Sequence, residues 1–325
     1  MTTRRELLIA LGALAALPAY SQQPGKVWRV GYLSVFSSKN NQAFEVFKQQ
    51  LRDLGQVERK TITIDFLSAE GNYDRLPSLA ADLVRLNVDV IVAAGGTPVT
   101  TAAKNATRTI PIVFQGIADP VGQGFVTSLA RPGGNITGAT DMHRDTAGKS
   151  LSILKEVIPS AKRIAILSNP KNSSLPQVIL DMQAAARLLR LDTTIINVAT
   201  PNELEKAFAE IARDRPAGLV ILADGLFISE AGRLATLAAK HRLPTLARLI
   251  AFPESGGLMS YGANRLELIR HAAILVDKII KGAKPSDLPV EQPTKFDFVI
   301  NMKTAKAMGL TIPQSVLLQA SRVIE

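Results

Sequence analysis

Val88-Asp89-Val90-Ile91-Val92-Ala93-Ala94-Gly95-Gly96-Thr97-Pro98 is the stretch that decides the fold. The apolar run is too short for an ordinary helix and too continuous for a strand with one wet face. It suits a parallel strand covered by helices on both sides. Gly95 and Gly96 then permit a sharp turn and close backbone approach. Thr97 has the chemistry of an N-cap, and Pro98 that of a first helical residue. The expectation is strand, turn, helix, with free N–H groups at the turn that suit a carboxylate.

The same unit recurs on either side. Val27–Val35 reads as a strand and Asn41–Leu54 as a helix with Phe44, Phe47, Leu51 and Leu54 on one face. Thr61–Leu67, Ile110–Gln115, Arg163–Ser168, Thr193–Val198, Gly218–Ala223 and Pro244–Leu246 are further strands. Tyr73–Leu86, Pro98–Thr107, Asp145–Val157, Leu175–Leu189, Asn202–Ala212 and Ser229–Lys240 are helices between them. A tail adds a strand at Gly257–Tyr261, a helix at Arg265–Lys281 and a strand at Phe296–Ile300. Strict β/α alternation predicts an α/β fold with helices on both faces of each sheet. Two comparable series meet near Gly133-Gly134-Asn135-Ile136-Thr137-Gly138, which reads as a hinge between two doubly wound parallel-sheet lobes. The length of 325 residues agrees, at roughly 100–200 residues per domain.

Composition narrows the class. Hydrophobic residues at 46% and charged residues at 20% are ordinary for a globular chain, which excludes disorder, collagen and coiled coil. With aromatics at 5%, the cores must be aliphatic. There is no cysteine, so there is no disulfide, thiolate metal site, cysteine nucleophile or lipid-modified cysteine. The net charge of +10 permits an anionic partner, but the basic residues are spread without the clustering of a nucleic-acid face.

Residues 1–21 read as an address. Arg4-Arg5 is a basic start, Leu7–Leu17 an apolar run too short to span a bilayer, and Ala19-Tyr20-Ser21 a small-residue cleavage site. The arginine pair fits the twin-arginine route as well as the general secretory route. Cleavage removes two arginines and one glutamate, so the positive surplus stays. The expected mature protein is exported and, without cysteine, not lipid-anchored.

Ligands of open parallel sheets sit beyond the carboxyl ends of strands. The turns there are Ser34–Ser38, with Phe36; Gly96–Thr97; Asp119-Pro120-Val121; Asn169 with Asn172, Ser173 and Ser174; and Asp224–Phe227. Each alone could be a helix cap, as Thr200-Pro201-Asn202-Glu203 is. Together they line one edge. Asp119 is read as a cap with Pro120 starting a helix, and as the carboxylate for a ligand ammonium opposite an acid group at Gly96–Thr97. Phe36, Phe227, Phe252 and Tyr261 are candidate stacking partners for an aromatic ligand.

Cues for catalysis are weak. His143, His241 and His271 have no metal spacing. There is no Gly-x-Ser-x-Gly elbow and no phosphate loop. Gly122-Gln123-Gly124 lacks the rest of a dinucleotide fingerprint, and Asp65, Glu70 and Asp74 form no acid–base pair. An exported solute receptor, with a role presenting ligand to a membrane sensor as its variant, competes with a secreted hydrolase and a sugar-responsive transcription regulator. The hydrolase needs a nucleophile with a base; the regulator needs an N-terminal helix-turn-helix where this chain has an export signal.

Tyr73-Asp74-Arg75-Leu76-Pro77, Gly95–Pro98, Ile110–Phe114, Ala118-Asp119-Pro120-Val121, Arg131–Gly138, Gly256–Gly262 and Asp287–Phe296 resemble substrate-binding proteins of ATP-driven (ABC) importers. The group is the one that includes tryptophan/tyrosine importer receptors, and the resemblance runs over about 27–325. It implies a periplasmic-binding-protein type I fold with a three-strand hinge and a small molecule closed between the lobes. It also implies a permease partner in the inner membrane and a monomer in the periplasm, with no catalysis, cofactor, metal or nucleic acid. The implied first lobe is 27–140 plus 257–285, and the second 141–256 plus 286–325. Ligand contacts implied by the resemblance fall on Ser34, the Gly96–Thr97 and Asp119–Val121 turns, Thr140 and Asp141 at the crossover, Asn169–Ser174, Asp224–Phe227 and Tyr261. The ligand implied is amino-acid-like or a small carboxylate.

Overall fold

The computed structural model describes residues 26–36, 42–144 and 146–325. The expected signal peptide, and Ser37 and Ser38, lie outside the described residues.

Five strands, β1 (Trp28–Ser34), β2 (Ile62–Ser68), β3 (Val90–Ala94), β4 (Ile112–Ile117) and β5 (Ile136–Thr140), form an all-parallel sheet in the order β2-β1-β3-β4-β5. The second sheet is built from β6 (Arg163–Ser168), β7 (Asp192–Asn197), β8 (Gly218–Ile221), β9 (Thr245–Ala247), β10 (Met259–Ala263), β11 (Phe296–Asn301) and β12 (Arg322–Ile324). Its order is β12-β11-β10-β9-β8-β6-β7, parallel throughout except for the antiparallel β10/β11 pair. The helices are α1 (Gln42–Asp53), α2 (Leu76–Arg85), α3 (Thr97–Ala106), α4 (Ala147–Val157), α5 (Leu175–Leu188), α6 (Leu204–Asp214), α7 (Gly225–Ser229), α8 (Ala231–Lys240), α9 (Ala251–Glu254), α10 (Arg265–Ile280), α11 (Met302–Met308) and α12 (Gln314–Leu317).

The strand at the centre of the sequence reading behaves as its composition demands. Val90, Val92 and Ala94 enter one core layer with Phe47 and Leu51 of α1, while Ile91 and Ala93 enter the opposite layer with Val99 and Ala103 of α3. In the second sheet Val220 faces one layer and Leu219 and Ile221 the other. Period-two alternation therefore distributes a continuous apolar run between two cores.

The chain crosses between sheets three times: after β5, between β10 and α10, and between Glu291 and β11. The crossings differ from the expected partition. The segment from 257 through β10 belongs to the second sheet, because β10 pairs with β9 and β11. Only α10 returns, burying Ile269, Ala273 and Val276 in the first lobe. Residues 288–291 stay with the first lobe too: Thr140 N–H donates to Glu291 O at 2.9 Å and Glu291 N–H to Gly138 O at 2.9 Å. They cover the free edge of β5, which would otherwise expose unpaired backbone.

The glycine-rich break expected at 133–138 is also partly strand. Ile136–Thr140 is β5, and Gly138 is needed there because a Cβ would collide with Phe114. The passage between lobes is the segment that follows it. Pro120 starts no helix; residues 120–124 are turns.

Candidate functional site

The β3–α3 turn opens onto a cavity of about 120 Å³ between the lobes. Gly95 and Gly96 have φ of 134° and 81°, left-handed values that side-chain-bearing residues rarely adopt, and a Cβ on Gly95 would lie 2.5 Å from Val35 Cγ1. Gly96, not Thr97, is the N-cap. Thr97 is the first helical residue, and its hydroxyl is buried with no hydrogen-bond partner. Thus the turn offers the positive end of a helix plus a free hydroxyl.

Of the residues anticipated from sequence, Phe36, Gly96, Thr97, Asp141, Ser174 and Asp224 line this cavity. Ser34 is fully buried behind it: its Oγ accepts from Phe36 N–H at 3.0 Å and so shapes the loop that presents the ring. Asn169 also acts from behind, donating to Asp224 Oδ1 at 2.9 Å.

The others lie elsewhere. Asp119, Pro120, Val121 and Thr140 border a separate, open hollow with Arg144 and Asp181. Asp119 there pairs with Arg144 at 2.5 Å and accepts from Gly122 N–H at 2.8 Å, so its charge is engaged away from the cavity. Ser173 is exposed. Phe227 and Phe252 are fully buried in the core under α7–α9. Tyr261 stacks on Phe296, with centroids 6.1 Å apart, within the second lobe.

Asp224 is the most heavily bonded group in the wall. Its oxygens accept from Asn169, Asn172 and Leu226 N–H, each at 2.9 Å, and from Tyr73 OH at 3.0 Å. Tyr73 belongs to the first lobe, so this last bond ties the lobes together. Burial foremost, then the Asp224 charge, pushes the Tyr73 phenol well above its ordinary range, so it stays a donor. Lys171 and Asp74 add an exposed interlobe pair at 3.2 Å.

Four cavity groups were not anticipated: Gln115, His143, Arg248 and Arg265. Each had a weak trace. Gln115 is the polar residue interrupting the apolar strand β4, His143 follows Asp141 by two positions, Arg248 comes directly after β9, and Arg265 opens α10. Met142, between Asp141 and His143, has φ of 50°, and both of its neighbours line the cavity.

Arg248 is buried, donating to Thr146 Oγ1 at 2.6 Å and Ser150 Oγ at 3.3 Å. Burial pushes its guanidinium down to about 10, partly offset by the Asp141 charge, so it stays protonated at neutral pH. Burial raises the Asp141 carboxyl, and Arg248 opposes that rise. Neither Asp141, Arg248 nor Arg265 forms an ion pair within 4 Å among the described residues. The Arg265 guanidinium instead lies 4.7 Å from the centre of the Phe36 ring.

Burial first, and the Arg248 charge second, hold His143 well below its ordinary 6.5. The unfolded chain protonates near that value while the native ring does not, so this histidine removes stability as pH falls through 6.5. Going from about pH 7.5 to about 5.5 is expected to cost up to ~1.4 kcal/mol at this site. Asp141 acts with the opposite sign, its raised value favouring the native state as pH falls. Denaturant titrations at both pH values, on the parent and on His143→Gln, isolate the histidine. An identical pH dependence in the two proteins would count against a buried neutral ring.

Two lobes joined by three crossings around a polar cavity are the architecture of a solute-binding protein. The family model described as ABC transporter substrate binding protein matches residues 37–324, and the chain belongs to that family. It is 28% identical over 264 residues to the tyrosine-binding protein of Clostridioides difficile, covering 81% of this chain and 75% of that one. A conserved domain protein from Vibrio cholerae superposes with a TM-score of 0.84 at 26% identity, covering 92% of this chain and all of that one. A Streptococcus pneumoniae ABC domain in complex with L-Trp gives 0.83 at 25% identity over 92% of this chain and all of that one. A ligand-free, open substrate-binding protein from C. difficile gives 0.65 at 26% identity over 92% and 99%. The lobes here thus sit more as in the L-Trp complex than as in the open protein, consistent with the Tyr73–Asp224 bond.

No helix among the described residues is long and apolar enough to cross a membrane.

Proposed function

We propose that this protein is an exported receptor for an aromatic amino acid, which it closes upon and delivers to an ABC importer permease without chemical turnover. The observation that carries the proposal is the meeting of opposite acid–base groups in the cavity: the Asp141 carboxyl and the Arg248 and Arg265 guanidinium groups all line it, and none of them forms an ion pair within 4 Å among the described residues. A zwitterionic head group satisfies both signs. Its ammonium goes to Asp141, the role that sequence suggested for Asp119. Its carboxylate goes to the α3 N-terminus, the Thr97 hydroxyl and Arg248. The Phe36 ring and the Ile228, Leu268 and Ile269 side chains supply the apolar wall. The relatives named for tyrosine and solved with L-Trp support an aromatic ligand.

The proposal includes export through residues 1–21, by the twin-arginine or general secretory route. The mature chain is then a monomer, free in the periplasm, with neither lipid anchor nor cofactor.

Thermal unfolding with L-tyrosine, L-tryptophan and L-phenylalanine tests it. Ligand at a hundred times Kd stabilises by about 2.7 kcal/mol, a rise of several degrees that grows with concentration. Absence of a shift with all three, or consumption of an amino acid without saturable stabilisation, sinks the proposal.

A further inference from the structure

Among the described residues, four buried polar atoms without a partner belong to residues that border this cavity: Thr97 Oγ1, Gln115 Nε2, His143 Nε2 and Arg248 Nε. Under the function proposed above, Thr97 and Arg248 serve the head group. Gln115 and His143 remain.

Gln115 lies within β4, and the fully buried Tyr32 of β1 donates its hydroxyl to Gln115 Oε1 at 3.2 Å. In this arrangement the amide oxygen faces Tyr32 and Nε2 has no partner among the described residues. The Tyr32 phenol, pushed up to about 12 mainly by burial, remains a donor at any physiological pH. The acceptor oxygen is therefore occupied, and Nε2, which can only donate, is left for the cavity. His143 is 2% exposed, and its neutral ring offers Nε2 as an acceptor in one tautomer and a donor in the other. A hydrocarbon side chain sealed in this space would strip water from both groups and give nothing back. Such a loss is of the order of tenfold to a hundredfold per group. A hydroxyl or a ring N–H on the ligand supplies what they lack, and a site built to bond such a group rejects the analogue without it.

We propose that Gln115, oriented by Tyr32, and His143 select ligand side chains bearing an O–H or N–H group and reject otherwise matched hydrocarbon side chains. This rests on the amino-acid reading of the same cavity.

Calorimetric titration with L-tyrosine, L-tryptophan and L-phenylalanine tests the assignment. The parent should bind tyrosine or tryptophan at least about 30-fold more tightly than phenylalanine. Gln115→Met and His143→Phe should each shrink that ratio about tenfold, through weaker binding of the polar ligand rather than tighter binding of phenylalanine. His143→Gln, which keeps a hydrogen-bonding side chain, should recover part of it. Circular dichroism reports whether the apolar variants fold. If one does not, Gln115→Glu keeps an acceptor for Tyr32 while replacing the donor with a charged oxygen, and should lose the preference. Phenylalanine bound within about threefold of both polar ligands overturns the proposal. So does an undiminished ratio in the folded variants at both positions. Failure of the parent to bind any of the three overturns the amino-acid reading itself, a result distinct from binding without discrimination.

Discussion

Gly225→Val is expected to weaken ligand binding by about 100-fold while leaving the ligand-free protein nearly as stable as the parent. Gly225 opens α7 in the second lobe. A Cβ at that position would sit 2.7 Å from Val35 Cγ1 and 2.9 Å from the Tyr73 hydroxyl, both on the first lobe. Within its own lobe the residue has ordinary helical surroundings, so the collision arises only when the lobes meet. Overpacking of this kind costs ~1–3 kcal/mol, and here the cost falls on the closed state alone. Small-angle scattering should show ligand-induced compaction in the parent and none in the variant. Parent-like affinity would mean that the closed arrangement is not the binding state.

A second large effect is expected at Arg248. Replacing it by methionine removes the counter-charge of a buried carboxylate and two hydrogen bonds to Thr146 and Ser150. Asp141 and Arg248 are more than 4 Å apart, so stranding one of these two buried groups costs up to the ~3–5 kcal/mol of a broken buried ion pair. For a chain of this size that lowers Tm by roughly 10 °C. The companion Asp141→Asn/Arg248→Met should recover much of the stability, since neither charge is then stranded, yet bind no amino acid. Equal destabilisation in the single and double variants would show that Arg248 acts through packing rather than charge.

The fold was largely legible because its determinants are local. The apolar runs at Val90–Ala94 and Gly218–Ile221 are buried on both faces, and runs of that kind report a parallel sheet wherever they occur. The lobe partition was less legible. Met259–Ala263 and Leu288–Glu291 are short segments whose own composition suits either lobe. What assigns them is a hydrogen-bond partner far away in sequence: β11 for the first and Gly138 for the second.

The site divides along the same line. Gly96, Thr97 and Asp224 could be anticipated because strand–turn–helix units place such residues at a known sheet edge. Asp119 satisfied the same pattern, but β4 continues through Gly116 and Ile117 with a register shift against β5, and the carboxylate emerges in the other hollow beside Arg144. Phe227, in a predicted turn, is taken into the core as the α7 helix folds over it.

By itself the sequence determined two α/β lobes, the turns that could meet a ligand, and the absence of cysteine chemistry. Periodicity and turn chemistry act over a few residues, so those features need no knowledge of what lies across the cleft. Tertiary structure alone decided that Asp141 rather than Asp119 faces the cavity. It alone brought Arg248, His143 and Gln115 there, and set Tyr73 against Asp224. These groups come from segments as distant as Tyr32 and Arg265. Their charges and unpaired atoms acquire meaning only when folding removes water and leaves them facing one another.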